Sequence, residues 1–372
     1  MSGGIGAGPS SDFLIGSRLR YCLDQANHVP LLPSLVHRVR IRNLSIAQSE
    51  TADEDCGNWP RWEAAAEAGW SASGLEAMRQ EALKGDTAAL MVVTRGRVLH
   101  AQGHVATRYN VHSIRKSLLS ALIGIHVAEG RIDLEASLDQ LGIDDKLGLT
   151  AREKLATVLD LLCARSGIYH PSGYESPWML SIKPARHSVG PGTTWCYNNW
   201  DFNALGSIFR QRTGADIFTD FAQRIAAPCG MQDFEPARDG QIVDLPDSQH
   251  PAYPFRMTAR DLARFGQMFL EGGQGIVPAD WVQISTLPIS EAGYRGAYGY
   301  MWWVSRAGIL FPQVKVPEGS YTALGVGGHF VLVMPALETV VVHRVDTDQK
   351  GRAISIGHFG RLLSLLLAAA PR

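Results

Sequence analysis

Ser113-Ile114-Arg115-Lys116, running on into Ser117-Leu118-Leu119-Ser120-Ala121-Leu122-Ile123, is the stretch from which this chain is read. Residues 113–135 have helical periodicity, with Leu118, Leu119, Leu122, Ile123 and Val127 on the buried side. The helix stops at Glu129-Gly130, where glycine can supply a left-handed cap. Ser113 and Lys116 are three apart, so they share one face, a turn from each other. At the helix N-terminus the serine also sits among unpaired N–H donors and the positive end of the dipole. A serine hydroxyl is a poor nucleophile until a base takes its proton. Lysine serves as that base when burial or a neighbouring cation lowers its pKa, and a Ser–Lys pair is one of the known forms of serine-based acyl transfer. The competing reading of the same four residues is a serine that merely caps a helix.

Upstream, residues 75–83 predict a helix with Leu75, Met78, Ala82 and Leu83 on one face. Residues 88–94 and 98–102, joined by Arg95-Gly96, predict a β-hairpin. Downstream, 151–165 predicts a further helix, and the chain stays helix-rich to about residue 270. Residues 298–304, 330–334 and 339–345 then predict strands, and 354–370 a closing helix. The order sheet, helices, sheet, helix fits a discontinuous α/β (α+β) domain carrying an all-α domain. The expected division is an N-terminal extension over 1–60, a sheet domain over 61–112 and 260–372, and a helical domain over 113–259, with the site between the last two.

Composition narrows the partners. The 372 residues are 45% hydrophobic and 19% charged, an ordinary globular balance. Lys+Arg number 35 against 36 Asp+Glu, which argues against a nucleic-acid-binding surface. The five cysteines, Cys22, Cys56, Cys163, Cys196 and Cys229, form no Cys-x-x-Cys pair, so free thiols are expected and neither a zinc site nor a disulfide framework is indicated. The Gly/Ser-rich start lacks a basic segment followed by an apolar one, and the longest uncharged apolar stretch, 362–371, is too short to span a bilayer. A cytoplasmic protein, monomeric or homodimeric, without membrane, metal or cofactor, is the expectation.

The flanks of the Ser-x-x-Lys sharpen its reading. After the long helix come Gly130-Arg131-Ile132-Asp133-Leu134, Leu149-Thr150-Ala151-Arg152-Glu153, Ala156-Thr157-Val158-Leu159-Asp160-Leu161-Leu162 and Ser166-Gly167. This run resembles the serine β-lactamase and penicillin-binding-protein superfamily, in particular its class C β-lactamase, esterase and 6-aminohexanoate-dimer hydrolase branch. The resemblance covers roughly residues 75–365 and implies an antiparallel sheet flanked by helices plus an all-α domain. It also implies a second element, Tyr-x-Asn, found as Tyr197-Asn198-Asn199 after the turn Pro191-Gly192. Tyr197 is then the proton relay and Asn199 a partner for the lysine or a substrate amide. The third element, Lys-Thr-Gly or His-Thr-Gly, is absent. Gly325-Val326-Gly327-Gly328-His329 stands in its place. Gly327 and Gly328 admit a close acyl group, and the N–H of His329 with that of Ser113 is the expected oxyanion hole. Whether the His329 side chain contacts substrate or only supports the strand stays open. The missing cation favours a substrate without a carboxylate at that position.

Tyr169, Tyr174 and Trp178 cluster in a loop between the first two motifs, either lining a pocket or packing the loop. Trp302-Trp303 is expected to send one ring to the core and one toward solvent or the site. Asp144-Asp145 reads as a solvated pair. No Gly-x-Ser-x-Gly elbow exists, which argues against the α/β-hydrolase fold. The expected function is a serine hydrolase of a small-molecule ester or amide, acting through an acyl-Ser113 intermediate with Lys116 and Tyr197. The alternatives are an acyltransferase with the same residues, a β-lactamase or D-alanyl peptidase, and a binding module without turnover.

Overall fold

The computed structural model describes residues 55–371, so most of the expected N-terminal extension, with Cys22, lies outside the described residues. Its strands are β1 (Thr87–Thr94), β2 (Arg97–Gly103), β3 (Tyr109–Asn110), β4 (Arg256–Met257), β5 (Ser290–Glu291), β6 (Ala297–Tyr298), β7 (Trp303–Val304), β8 (Tyr321–Gly325), β9 (His329–Met334) and β10 (Thr339–Val345). Eight form one antiparallel sheet in the order β2-β1-β10-β9-β8-β7-β6-β5, and β3 pairs with β4 in a separate ribbon. The sheet therefore draws its strands from two stretches of chain, 87–103 and 290–345, with the helix-rich segment between them.

The helices are α1 (Ala72–Ala82), α2 (Ile114–Ala128), α3 (Val158–Leu162), α4 (Pro177–Ile182), α5 (Asn199–Thr213), α6 (Ile217–Phe221), α7 (Pro236–Asp239), α8 (Ala259–Leu270), α9 (Ala279–Ser285) and α10 (Ile356–Ala369). β9 and β10 are buried along their whole length, as β-branched runs covered on both faces must be. On one face Phe359 of α10 stacks 4.0 Å from Phe330. On the other, α8 comes so close that a Cβ on Gly266 would lie 2.5 Å from Val340. The candidate helix α2 packs against β8 and β9 on one side and α5 and α6 on the other, so it joins the sheet to the helical segment.

Four details differ from the sequence reading. The chain is already packed at Cys56 and Trp59, and Trp62 N donates to Val98 O at 3.0 Å, so the body begins before residue 61. The expected helix 151–165 is a 3₁₀ turn, Glu153–Leu155, then α3, because Thr157 and Asp160 form a reciprocal cap that starts a new helix. The expected strand 298–304 is two strands, β6 and β7. Between them Tyr300 N and Met301 N bond Ser285 O and Leu162 O instead of a ladder partner. Asp145 is not solvated. Its carboxylate is buried and accepts from Trp200 Nε1 (2.6 Å), Ser248 Oγ (2.8 Å) and Gln249 N (2.6 Å), while Asp144 pairs with Lys154 at the surface. Burial opposes ionisation of Asp145, but the donors from His170, Gln249, Trp200 and Lys146 outweigh it and hold the acid below its usual range.

These two neighbours should behave differently on truncation. Asp145→Ala strands three buried donors and is expected to cost about 3 kcal/mol or more in a denaturant titration. Asp144→Ala removes an exposed ion pair and the bonds that Asp144 Oδ1 accepts from Asp145 N (2.9 Å) and Leu149 N (2.7 Å), groups nearer the solvent, and should cost less, about 1–2 kcal/mol. Equal costs would contradict the assignment of Asp145 as the staple.

Candidate active site

Ser113 is the N-cap of α2, yet its side chain caps nothing. Lys116 Nζ donates to Ser113 Oγ at 2.6 Å, so the plain capping reading of the motif does not hold. The lysine is 2% exposed, and its amine lies 4.9 Å from the ring centres of both Tyr197 and Phe202. No carboxylate pairs with it among the described residues. Burial, and then the neighbouring Arg115 charge, push its pKa well below the ordinary lysine value. The result is an amine that gives up its proton more readily than an exposed lysine, set against a hydroxyl, which is what a general base needs.

Tyr197 is buried under the same wall. Its ring lies 5.1 Å from Phe202, 5.1 Å from Trp303, 5.8 Å from Tyr298 and 5.9 Å from Trp178. Burial raises its phenol to about 12, with the Ser113 hydroxyl and the Arg115 and Arg295 charges pulling back in part. The two shifts run in opposite senses, easing loss of the lysine proton and holding the tyrosine proton, on either side of one hydroxyl. Trp302 and Trp303 divide as expected. Trp302 stacks with Phe265 in the core and Trp303 turns to Tyr197. The loop carrying Tyr197 is fastened by Asn198 Nδ2 to Ile168 O (2.6 Å) and by Cys196 N to Ala164 O (2.9 Å). Beneath it, burial lifts Asp201 to about 8, so its carboxyl is mostly protonated at neutral pH, where it accepts from Ser166 Oγ.

The β8–β9 hairpin is the third wall. Gly325 must be glycine, since a Cβ there would meet Val111 O at 2.6 Å and His112 Cβ at 3.2 Å, just before Ser113. β7 pairs only with Tyr321 and Thr322, so the β8 edge beyond them is unpaired. Ser305 N donates to Ser320 O, which sets the alternation: even residues turn their peptide groups to the β7 side and odd ones to β9. His329 pairs with Gly325 inside the sheet, so its N–H is turned to β8 and is not at the open edge. The peptide group at that edge is Val326's, and Val326 is 59% exposed. Neither Ser113 N–H nor Val326 N–H makes a hydrogen bond within the described residues. Gly327 and Gly328 hold the hairpin tip with positive φ of 87° and 101°.

The His329 ring is buried and turned inward. Its Nδ1 accepts from Arg344 Nε at 3.0 Å, which leaves the proton on Nε2 beside Thr347 Oγ1, and Thr347 in turn meets His112 Nε2 at 2.7 Å. Of the two readings of His329, the supporting one fits. Arg344 also donates to the carbonyls of Tyr109 (3.1 Å), Asn110 (3.0 Å) and Met257 (2.9 Å). It clamps the β3–β4 ribbon, and with it the approach to Ser113. Asn199 spends its Nδ2 on Gly173 O and Tyr174 O, while its buried Oδ1 has no partner and can only accept. Tyr174 is exposed and lines a cleft with Asn110 and Arg256; Tyr169 is buried with an unpartnered hydroxyl. Sequence reasoning passed over Arg344 and Arg295; an arginine inside Val340-Val341-Val342-His343-Arg344-Val345 was the available signal for the first. Among the described residues no group of three His, Cys, Asp or Glu is placed to hold a metal ion.

A family model described as Beta-lactamase matches residues 36–354. Solved structures of like fold include a Bacillus anthracis protein described as a 6-aminohexanoate-dimer hydrolase, 21% identical, covering 78% of this chain and 80% of that one, with a TM-score of 0.57. A β-lactamase from Mycobacterium bovis is 19% identical over 79% of this chain and 99% of its own, TM-score 0.57. EstCE1, a hydrolase with promiscuous acyltransferase activity, is 17% identical over 79% and 98%, TM-score 0.59.

The lysine environment has a measurable cost. The unfolded chain keeps the Lys116 proton to about 10.5, and the folded chain gives it up lower. Between those values the unfolded state binds more protons, so this residue's penalty grows as pH falls and vanishes above the upper value. Lys116→Met is therefore expected to raise stability at neutral pH by about 1 kcal/mol or more, with the gap to wild type closing as pH rises. Turnover should fall by about 10²–10⁴-fold. Melting curves across pH on both proteins check the first; a variant less stable than wild type at neutral pH would refute it.

Proposed function

The chain belongs to the β-lactamase family, and from that premise we propose that it is a serine hydrolase cleaving an ester or amide of a small molecule through an acyl-Ser113 intermediate. The observation that carries the reading is the 2.6 Å bond between Ser113 Oγ and the buried amine of Lys116. Lys116 Nζ takes the Ser113 proton as Oγ bonds to the substrate carbonyl carbon. The carbonyl π electrons move onto oxygen, held by the free N–H groups of Ser113 and Val326. In this reading Val326 replaces His329 as the second donor. The oxyanion collapses, the bond to the leaving oxygen or nitrogen breaks, and Tyr197 Oη supplies its proton, replenished from Lys116. Water then attacks the acyl-serine, losing its proton to the same pair, and Ser113 Oγ leaves with a proton. Asn199 Oδ1 is positioned as an acceptor for the lysine or a substrate N–H.

Acyl transfer to an alcohol or amine uses the same steps with another nucleophile in the place of water, and the likeness to EstCE1 favours keeping it as a second reading. A penicillin or D-alanyl peptide substrate is disfavoured by the absence of a cation or hydroxyl on the β8 tip, where Val326-Gly327-Gly328 stands. A binding module without turnover would have no use for a buried lysine with a lowered pKa bonded to a serine hydroxyl.

A fluorophosphonate probe should label Ser113, and a panel of p-nitrophenyl esters of varied acyl length, small amides and nitrocefin should show turnover that Ser113→Ala abolishes. Val326→Pro deletes one N–H and is expected to lower kcat by about 10²–10³-fold relative to Val326→Ala. No labelling, together with Ser113→Ala equal to wild type on every substrate, would overturn the reading.

A further inference from the structure

The peptide bond between His112 and Ser113 carries the first N–H proposed for the oxyanion, and the backbone angles of His112 set its direction. His112 has φ +48°, a left-handed conformation that a histidine keeps only where its surroundings hold it. Its N–H donates to Asn110 Oδ1 at 2.8 Å, and its ring lies 5.0 Å from the His329 ring, tilted by 50°. Its Nε2 meets Thr347 Oγ1 at 2.7 Å, and the same oxygen lies 3.4 Å from His329 Nε2. Thr347 follows β10 and also reaches the hairpin tip: a Cβ on Gly327 would lie 2.6 Å from its Cγ2. Gly327 is next to Val326, which carries the second N–H. Among the described residues no hydrogen bond runs directly from residues 109–113 to β8 or β9. The polar ties between them pass through Arg344 and Thr347.

The sense of these bonds follows from the groups that make them. A guanidinium only donates, so Arg344 Nε–H fixes His329 as the tautomer with its proton on Nε2. That proton is turned to Thr347 Oγ1. The threonine hydroxyl has one proton, and with its oxygen accepting from His329 it gives that proton to His112 Nε2. The chain from Arg344 through His329 and Thr347 to His112 then donates in one sense throughout, and it needs a neutral His112. Burial, then the Arg344 charge, with smaller effects from Lys116 and Arg256, lowers the His112 pKa to about 4 against the pull of Asp348, so at neutral pH the ring accepts. We propose that Thr347 is a positioning residue for the reaction: its hydroxyl holds the His112 turn, its methyl abuts the hairpin tip, and it so sets the gap between the Ser113 and Val326 N–H groups. The inference rests on the acyl-Ser113 reading.

The test compares p-nitrophenyl acetate with the matching thionoester, in which sulfur replaces the carbonyl oxygen. Sulfur accepts hydrogen bonds weakly, so the ratio of the two kcat/KM values reads the fit of the two donors. Wild type is expected to favour the oxygen ester by about tenfold or more. Thr347→Val keeps the methyl and loses the hydroxyl. It should lower kcat on the oxygen ester by about 10–100-fold with KM nearly unchanged, and bring the ratio toward one. Thr347→Ser keeps the hydroxyl and should restore most of both. In a Val326→Pro background Thr347→Val should add little, because the pair of donors is already broken. Taking the ratio cancels any general loss of active protein, and complete fluorophosphonate labelling of Ser113 in each variant confirms an assembled site. A wild-type ratio near one, a Thr347→Val enzyme equal to wild type, a loss that Thr347→Ser leaves in place, or losses that multiply in the double variant each overturns the inference while the hydrolase reading stands. Hydrolysis of both esters by Ser113→Ala at the wild-type rate overturns the hydrolase reading itself.

Discussion

Everything at this site depends on a lysine kept out of water without a carboxylate. A buried cation with no counter-charge costs several kcal/mol, so burial lowers the pKa of the amine and favours its neutral form. The surroundings are built to keep that choice in force. Phe202 and Tyr197 cover the amine with ring faces. Arg115, one residue before, adds like charge; it is itself held by Asn203 Oδ1 at 2.8 Å and by the Tyr253 ring at 4.1 Å, again with no acid. Asp201, on the helix that follows the Tyr197 loop, is turned to Ser166 and Asn198, and burial raises its carboxyl to about 8. The groups shown around the amine, Ser113, Tyr197, Phe202 and Arg115, include no acid.

The same deficit of negative charge suits the chemistry proposed. An acyl-transfer transition state develops one negative oxygen, and fixed donors in a dry site stabilise it more than water does. Arg344 extends the pattern. Like Arg115 it is a buried guanidinium without an acid, here held by backbone carbonyls, with burial lowering it to about 9. Its position explains why carbonyls suffice. By binding Tyr109, Asn110 and Met257 it fixes the strand that delivers Ser113, and by donating to His329 it orders the hairpin that carries Val326. One side chain thus sets the spacing between the two N–H groups proposed for the oxyanion, although it touches neither.

How much of this was legible follows from what each feature depends on. The Ser113–Lys116 face is local, set by helical spacing, and the structure places the two side chains in contact. The eight-stranded sheet was visible where the runs are long and apolar, in β1, β9 and β10. It was invisible at β8, where Tyr321-Thr322-Ala323-Leu324-Gly325 has weak alternation and its strand identity comes from β9 beside it. Residues 298–304 read as one strand because the break at Met301, with φ +62°, is set by the fold, and a positive φ at methionine leaves no mark in the sequence. Asp145 looked solvated because its partners, Trp200, Ser248 and Gln249, are more than fifty residues away. Arg295 had no local signal at all, since the two tryptophans it packs on, Trp178 and Trp303, come from different elements.

The oxyanion assignment shows the limit of position-by-position transfer most clearly. Aligning Gly327-Gly328-His329 with a motif identifies the right hairpin but cannot say which peptide groups face outward. That depends on the parity of the ladder, and one hydrogen bond, Ser305 N to Ser320 O, decides it. Shifting the pairing by a single residue would reverse every peptide on β8, closing the edge at Val326 and opening it at Gly325. Gly325 itself blocks that alternative: any register that put a side chain against Val111 O would push the hairpin off the nucleophile. The glycine and the short partner strand together therefore keep an unpaired backbone edge beside Ser113, where a sheet would ordinarily pair it.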